Sequence, residues 1–171
     1  MFTLITGGSK CGKSHIAEHL LENVHCEKIY IATMIPYGKE AHAAIERHRV
    51  SRAGKNFATI EKYTNINELN IPEHSVVLIE CIANLCANEM FDIRFDADVS
   101  DRIVNAVKKI NKACSHLVVV TNDVSRDGIK YTEETQLYIK NLCCINRQLA
   151  LIADNVIECV YGIPVILKGE L

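Results

Sequence analysis

A glycine-rich loop with a lysine near the start of the chain carries the clearest chemistry. Its eight residues fit the spacing G-x-x-x-x-G-K-[ST], and they are Gly7, Gly8, Ser9, Lys10, Cys11, Gly12, Lys13 and Ser14. In such a loop the backbone N–H groups turn inward around nucleotide phosphates, and glycine permits the backbone angles that this needs. We therefore expect all eight residues to bind nucleotide, with Lys13 at the β- and γ-phosphates and the Ser14 hydroxyl on Mg²⁺.

The segments on either side of this loop support the assignment. Residues 2–6 have the apolar character of a short buried strand, and residues 14–23 carry apolar side chains at helical spacing. A helix that begins directly behind the loop adds its positive dipole end to the anion site. Because strand, loop and helix agree, a glycine-rich turn that matches by chance is the weaker interpretation.

A carboxylate follows another apolar run. Residues 76–79 are Val-Val-Leu-Ile, and Glu80 comes next. In enzymes with a phosphate loop, an acidic residue at the tip of a neighbouring strand commonly holds Mg²⁺ or its waters. We expect Glu80 to share the metal with Ser14. The alternative is that the Glu80 carboxylate caps the helix that follows.

A strongly charged helix is predicted over residues 39–52. It places His48 among Arg47, Arg49 and Arg52, and the spacings of three and four residues put Arg49, His48 and Arg52 on a shared face. Arginines beside a histidine can hold phosphate oxygens, so His48 could attack an α-phosphate and form a covalent nucleotidyl intermediate. From the pattern alone, an exposed histidine on a solvated basic face is the other interpretation.

Strands and helices alternate along the chain. Further strands are predicted at residues 28–33, 58–61, 117–122, 156–160 and 164–167, with helices at 84–90, 100–113 and 131–154. This order predicts an α/β fold, with a mostly parallel sheet, helices on both faces and an antiparallel edge from the last two strands. Ligands bind at the carboxyl ends of such strands. Gly7, Thr33, Glu80 and Asn122 fall there, which makes Thr33 a further candidate for nucleotide binding.

Composition narrows the class of protein. The chain has 171 residues and no linker or repeat, so we expect a single catalytic domain over residues 1–171. A net charge of −2 argues against nucleic acid as a partner, and no apolar run has the length of a membrane span. The start of the chain lacks a signal-peptide pattern, so we expect a cytoplasmic protein whose eight cysteines are free thiols.

Several motifs together resemble one enzyme family, the bifunctional adenosylcobinamide kinase / adenosylcobinamide-phosphate guanylyltransferases of cobalamin synthesis. The shared segments are T-G-G-S-K-C-G-K-S at 6–14, Y-I-A-T at 30–33, I-E-R-H-R-V-S-R at 45–52, L-I-E-C-I-A-N-L-C-A-N at 78–88, V-T-N-D-V-S-R-D-G-I at 120–129 and G-I-P-V-I-L-K at 162–168. Many families share the phosphate loop. The combination of Y-I-A-T, I-x-x-H-x-x-x-R and V-T-N-[DE]-V is far more specific.

This resemblance implies a fold, two reactions and a set of residue roles. The fold is a RecA-like P-loop domain, and family members form oligomers, so a homo-oligomer is expected. A nucleoside triphosphate, ATP or GTP, first phosphorylates adenosylcobinamide. GTP then gives its GMP unit to that phosphate through a guanylylated histidine. His48 matches the nucleophile, Glu80 matches the acidic residue that ends the middle strand, and Glu61 matches a residue near the nucleotide.

These matches complete the expected site. Catalysis is assigned to His48, Lys13 and Glu80, while Arg49 and Arg52 bind nucleotide and stabilise phosphate charge in the transition state. The substrates are GTP, ATP and the corrinoid, and Mg²⁺ is the expected cofactor.

The chain also departs from the family pattern. Ser125 replaces a usual glycine, and in residues 138–147 only the aromatic Tyr138 and Asn146 remain from the usual motif. The phosphate loop and His48 are spared. Two alternatives stay open: a small-molecule kinase without a covalent step, for which His48 would be dispensable, and a nucleotide-binding protein that has lost catalysis.

Overall fold

The computed structural model describes residues 1–92, 96–125 and 128–170, with Ser51 described by its backbone only. Strands and helices alternate along these ranges, with one 3-10 turn at Ile66–Glu68. The elements are β1 (Phe2–Gly7), α1 (Lys13–Leu20), β2 (Lys28–Ala32), α2 (Gly38–Arg52), β3 (Phe57–Glu61), β4 (Val76–Ile79), α3 (Ile82–Met90), α4 (Ser100–Ala113), β5 (His116–Val120), α5 (Glu133–Ile152), β6 (Asn155–Val160) and β7 (Ile163–Lys168).

The strands form one sheet in the order β3-β2-β4-β5-β1-β6-β7. All neighbouring pairs from β3 to β6 are parallel, and β7 pairs antiparallel with β6 at the edge. This arrangement confirms the predicted mostly parallel sheet with an antiparallel edge. It also brings the carboxyl ends of β1, β2, β4 and β5 to one side of the molecule.

Successive side chains of the strands point to opposite faces of the sheet. On one face Leu4, Ile31 and Val119 belong to a large core that includes residues of α3, α4 and α5. On the other face Ile5, Tyr30 and Val118 belong to a second core that includes residues of α1. Helices therefore cover both faces of the sheet, as predicted.

Capping and turn hydrogen bonds move several helix ends from their predicted positions. α1 ends at Leu20, three residues early, because the chain tightens into bonds such as Glu22 N to His19 O (3.1 Å). α3 begins at Ile82, two residues early, because Cys81 Sγ accepts from Asn84 N (3.5 Å) and caps the helix. α5 starts two residues late because the Thr132 side chain caps it.

The longest helix in the described part of the chain is α5, with 20 residues. Its Asn141 side chain accepts from Ser100 Oγ (2.7 Å) and donates to Ala97 O (2.9 Å), which attaches α5 to the start of α4. Among the described residues, no helix combines the length and apolar character that crossing a membrane requires.

Candidate active site

The phosphate loop is packed tightly against β6 and the turn that follows it. Gly7 has a φ of 144°, and a Cβ there would lie 2.6 Å from the backbone oxygen of Cys159. Gly12 has a φ of 105°, and its Cβ would lie 3.3 Å from Gly162 Cα. Both positions therefore require glycine for conformation and for space. The loop geometry that the motif predicts depends on these two contacts.

Lys13 is buried within the loop that it serves. Its Nζ donates to the carbonyl oxygens of Gly7 (3.0 Å) and Gly8 (2.5 Å). The Cys159 thiol adds a further contact by donating to the carbonyl oxygen of Cys11 (3.0 Å). The ammonium group is thus folded back onto the loop, so reaching a β- or γ-phosphate means exchanging two carbonyl bonds for phosphate oxygens.

Glu80 is buried at the end of β4 and accepts hydrogen bonds from the end of β2. Its Oε2 accepts from the backbone N–H groups of Thr33 (3.0 Å) and Met34 (3.2 Å). The Thr33 hydroxyl donates to the carbonyl oxygen of Cys81 (2.9 Å). Thr33, predicted to bind nucleotide, is fully buried and supports Glu80. Glu80 does not cap α3, because Cys81 has that role.

The first of two neighbouring cavities, the phosphate cavity, has a volume of about 490 Å³. Its floor is the loop from Ser9 to Ser14, and Arg47, His48 and Glu80 contribute to its walls. The second, the side cavity, has a volume of about 380 Å³. Its walls include Tyr30, Arg49, Arg52, Thr59, Glu61 and Tyr63. Both cavities share Met34, His48 and Glu80.

Helix α2 distributes its charged residues between these two cavities. Arg47 lines the phosphate cavity, whereas Arg49 and Arg52 line the side cavity. His48, which is half-buried, lines both. Successive helix residues are about 100° apart around the axis, so the residues before and after His48 point to opposite sides of it. The predicted shared face of His48, Arg49 and Arg52 is the wall of the side cavity.

Arg52 makes an unusual contact for a charged residue. It is 8% exposed, and its Cζ lies 3.4 Å from the centroid of the Tyr30 ring. Cation–π contacts of this kind are worth about 0.5–2 kcal/mol. Its buried Nη1 has no hydrogen-bond partner among the described residues. A buried guanidinium with an unused N–H group on a cavity wall is suited to bind an acceptor group of a ligand.

Tyr30 provides the surface on which Arg52 rests. Burial raises the pKa of its hydroxyl, and the negative charge of Glu80 raises it further. The Phe57 ring contacts Tyr30 edge-on, with 6.3 Å between the ring centroids. Tyr30 lies within the Y-I-A-T segment, but the spacing of residues in that motif gives no information about a contact between β2 and the end of α2. Sequence reasoning therefore assigned it no role.

Glu61 lies on the far side of the side cavity. Its Oε2 accepts from the Tyr63 hydroxyl (2.9 Å), and burial together with Glu61 raises the pKa of Tyr63. Asn88 connects this region to β2, because its Nδ2 donates to the carbonyl oxygens of Thr33 (2.8 Å) and Tyr63 (2.9 Å). Asn88 closes the matching segment 78–88, so the motif contained it, but only the fold shows what it holds.

The phosphate cavity supplies some of the ligands that Mg²⁺ needs, but not all of them. Ser14 and Glu80 line the same cavity, and hydroxyl and carboxylate oxygens are ligands that Mg²⁺ accepts. Backbone N–H groups occupy Oε2 of Glu80, and the Tyr30 hydroxyl also hydrogen-bonds to this carboxylate, so a metal or its water would share the Glu80 side chain with these donors. In the described ranges, no three or more His, Cys, Asp or Glu residues form a metal cluster. A metal here would need phosphates and waters as further ligands, as Mg²⁺ commonly does.

The segment that departs from the family pattern keeps two contacts near the site. Asn146 accepts from Thr121 Oγ1 (2.7 Å) and donates to the carbonyl oxygen of Asn122 (3.1 Å) at the end of β5. The Tyr138 hydroxyl donates to the carbonyl oxygen of Ala83 in α3 (3.3 Å). The two retained residues are thus structural supports. Residues 126–127 of the V-T-N-D-V-S-R-D-G-I match lie outside the described residues.

Comparison with solved structures supports the fold. The chain is similar to a DnaB-like replicative helicase, with a TM-score of 0.53 and 9% sequence identity. The match covers 96% of this chain and 53% of the helicase chain, so this chain spans about half of that protein. At this identity the likeness shows the fold alone, and it confirms the predicted P-loop architecture.

Comparison with protein sequences is more specific. The model of the family described as cobinamide kinase / cobinamide phosphate guanyltransferase matches residues 3–167. The bifunctional adenosylcobalamin biosynthesis protein CobU of Escherichia coli (strain K12) is 32% identical over 186 residues, and the protein of that name from Salmonella typhimurium is 27% identical over 184. Each match covers 98% of this chain and 100% of the relative. The chain therefore belongs to the cobinamide kinase / cobinamide phosphate guanyltransferase family of transferases.

Proposed function

We propose that this chain carries out two reactions within one domain spanning residues 1–171. A nucleoside triphosphate phosphorylates adenosylcobinamide, and GTP then transfers GMP to adenosylcobinamide phosphate through a guanylyl-histidine at His48. The observation that carries this proposal is the position of His48 on the wall shared by the phosphate cavity and the side cavity. A side chain at that boundary can reach the phosphate that joins a triphosphate to its nucleoside.

One bound GTP would span both cavities. Its β- and γ-phosphates would lie on the loop with Lys13, and its guanosine would occupy the side cavity. The α-phosphate then falls at the boundary, beside His48. Arg49 and Arg52, on the side-cavity wall, would stabilise charge on the α-phosphate during transfer.

The side cavity offers groups that complement guanine. The Watson–Crick edge of guanine presents N–H donors and the acceptor O6, while adenine presents an N6 donor in place of O6. Glu61 keeps one carboxylate oxygen beyond its bond with Tyr63, and this oxygen can accept from the N–H donors of guanine. A carboxylate on the cavity wall therefore favours GTP over ATP for the transfer reaction.

The covalent step balances in a simple way. A ring nitrogen of His48 attacks the α-phosphorus, a nitrogen–phosphorus bond forms, and the bond from the α-phosphorus to the bridging oxygen breaks. Pyrophosphate leaves in the phosphate cavity, where Lys13 and the loop N–H groups neutralise its charge. A phosphate oxygen of the acceptor then attacks the same phosphorus and releases His48. Mg²⁺, when bound by Ser14 and Glu80, supplies further neutralisation of phosphate charge.

Phosphorylation of the corrinoid hydroxyl uses the terminal phosphate and needs the loop, but not His48. A substitution of His48 should therefore abolish GMP transfer and leave corrinoid phosphorylation intact. This separation distinguishes the proposed enzyme from a plain kinase and from a binding protein without turnover.

Intact-protein mass spectrometry after incubation with Mg²⁺ and GTP tests the covalent step. We expect an acid-labile GMP adduct on the wild type and none on His48→Ala. His42→Ala is the matched control, since His42 is an exposed histidine of the same helix, and it should form the adduct normally. A wild type that binds GTP and phosphorylates the corrinoid without an adduct would make the protein a plain kinase.

Self-association also belongs to the proposal. The edge strand β7 is exposed along its whole length and carries Ile163, Val165, Ile166 and Leu167. An apolar edge strand is a surface on which another chain can pair or pack. Light scattering coupled to gel filtration should show an oligomer, and Val165→Lys should shift it toward the monomer. A monomeric wild type would refute this part of the proposal.

A further inference from the structure

We propose that Tyr30 is a positioning residue: the stack of Arg52 on its ring anchors α2 and thereby sets where His48 stands between the two cavities. The proposal deepens the function above and rests on it only for the role of His48 as nucleophile. The anchoring itself is a property of the fold and is testable without catalysis.

Helix α2 is held weakly everywhere except at its carboxyl end. No side chain caps its first turn, and Tyr37, just before it, is 89% exposed. Among the side chains described for α2, only that of Arg52 is buried. Ala41, Ala44, Ile45 and His48 are only half-buried, so the helix has a thin face in place of the broad apolar face that normally attaches a surface helix to its sheet.

Arg52 adds to that thin face the one fully buried side-chain contact described for α2. Its guanidinium lies on the Tyr30 ring at 3.4 Å from Cζ to the centroid, and its Nη1 has no hydrogen-bond partner among the described residues. His48 precedes Arg52 by four residues, which is about one helical turn on the same side. A displacement of Arg52 from the ring would therefore move His48 with it.

Tyr30 is suited to this role because it is fixed on several sides. It is buried in β2, it contacts Phe57 edge-on, and it lies beside Glu80. Glu80 in turn accepts from the N–H groups of Thr33 and Met34, where the chain leaves β2 toward α2. The ring thus joins the end of α2 to the strand end that precedes its beginning.

A second contact holds the segment after α2. Lys55 Nζ bonds to the buried Glu18 carboxylate in α1 at 2.6 Å. Since α1 begins at the phosphate loop, this ion pair relates the end of α2 to the loop. The two contacts together fix one end of α2 and leave its start free. His48 lies one turn from the fixed end, so its position is more restricted than that of the exposed first turns.

Substitutions at Tyr30 can separate anchoring from phosphate binding by the loop, because the inference gives Tyr30 no contact with the reacting phosphates. Tyr30→Phe keeps the ring under Arg52 and removes only the hydroxyl beside Glu80. Tyr30→Leu keeps an apolar side chain but removes the ring. Tyr161→Leu is the matched control, since Tyr161 is 95% exposed.

Single-turnover kinetics at saturating GTP measure the positioning. Tyr30→Leu should slow formation of the GMP adduct about 10–100-fold, the effect of a misplaced reacting group. Its rate of corrinoid phosphorylation should stay within about threefold, because the phosphate loop is untouched, and saturating GTP removes the effect of any change in Kd. Tyr161→Leu should react as the wild type does, and Tyr30→Phe should form the adduct faster than Tyr30→Leu because it keeps the ring under Arg52. Wild-type rates in Tyr30→Leu, or an equal fall in both reactions, would overturn the inference.

Amide hydrogen exchange without nucleotide tests the anchor independently of the chemistry. In Tyr30→Leu the α2 amides should exchange at least about tenfold faster than in the wild type, while the α4 amides keep their rates. Unchanged exchange in α2 would refute the anchor. If the wild type forms no GMP adduct, the proposed function fails, but the exchange experiment still decides whether Tyr30 anchors α2.

Discussion

The phosphate loop and α2 face the same cavity, but the fold holds them in opposite ways. The loop is packed against β6 and the β6–β7 turn so closely that Gly7 has no room for a side chain and Gly12 has little. α2 is exposed and is attached mainly through Arg52 at its end. The protein thus combines a rigid cradle for phosphates with a lightly attached helix that carries the proposed nucleophile.

This difference matches the demands of the proposed reactions. Both reactions require phosphates in one place, and a packed loop provides donors that need no rearrangement. The transfer reaction also needs a histidine that first attacks GTP and then presents its guanylyl group to a corrinoid phosphate. A helix anchored at one end can meet both partners more easily than a side chain fixed in the core.

The largest effect should come from the loop lysine. Lys13→Ala removes a charge donor from the phosphate cavity, so both phosphorylation and adduct formation should fall about 10²–10³-fold. Lys108→Ala, on an exposed face of α4, is the control. Initial rates of both reactions with purified variants measure the effect. If only one reaction falls, the two reactions do not share this cradle.

A matched pair of glycines compares the two regions directly. Gly7→Ala places a Cβ 2.6 Å from a backbone oxygen at a positive φ, so it should cost about 2–4 kcal/mol and lower the Tm by about 5–10 °C. Gly38, at the start of α2, also has a positive φ, but a Cβ there meets nothing within 4 Å. Gly38→Ala should cost only about 1 kcal/mol.

Thermal unfolding of the two variants, with and without GTP, measures this contrast. Gly7→Ala should also lose stabilisation by GTP, whereas Gly38→Ala should keep it. Equal losses of stability in both variants would show that the loop is no more tightly packed than α2.

Glu61 should affect the choice of nucleotide more than the rate. Glu61→Gln replaces a carboxylate acceptor with an amide that also donates, so the preference for GTP over ATP in adduct formation should fall about tenfold. Glu68→Gln, a carboxylate outside both cavities, is the control. Competition between the two nucleotides in the mass assay provides the measurement. An unchanged preference would place the base elsewhere.

The smallest expected effect comes from His116 and extends the comparison to stability. Burial lowers the pKa of His116, whose ring contacts Thr3 Oγ1 (3.2 Å), at the amino end of the central strand β5 and away from the site. The unfolded chain therefore binds more protons than the folded one as pH falls through about 6.5. His116 contributes fully to stability above that pH and loses part of the contribution as pH falls toward its lower folded pKa.

Denaturant unfolding between pH 8 and 5 checks this effect. His116→Gln should flatten the fall in stability by a fraction of a kcal/mol, about what a partial protonation difference yields. It should leave the GMP adduct unchanged. His48→Ala should remove the adduct. A steeper acid dependence in His116→Gln would contradict the assigned sign.

The sequence predicted the phosphate loop better than it predicted how α2 is attached. The loop motif is local, so its spacing alone identifies Lys13 and Ser14, and the alternation of strands placed Glu80 at the right end of the sheet. Arg52 was expected on a nucleotide-binding face, but its burial on Tyr30 was not foreseen. That contact joins residues 22 positions apart through the strand order β3-β2-β4, which helical spacing cannot show.

Thr33 illustrates the same limit of prediction from the sequence. Its place at a strand end was correctly predicted, yet the end of a strand can face either the cavity or the interior. The structure turns its hydroxyl to the Cys81 carbonyl and its N–H to Glu80. Tertiary hydrogen bonds decide that orientation, and they leave no pattern in the chain.

The most direct test of the account is transfer from the isolated guanylyl-protein. The wild type would be labelled with GTP carrying a radioactive α-phosphate, freed of nucleotide by gel filtration, and mixed with adenosylcobinamide phosphate. The account predicts that the label sits on the peptide containing His48 and passes to the corrinoid at least as fast as steady-state turnover. Label that stays on the protein, or leaves more slowly than turnover, would contradict a guanylyl-His48 intermediate.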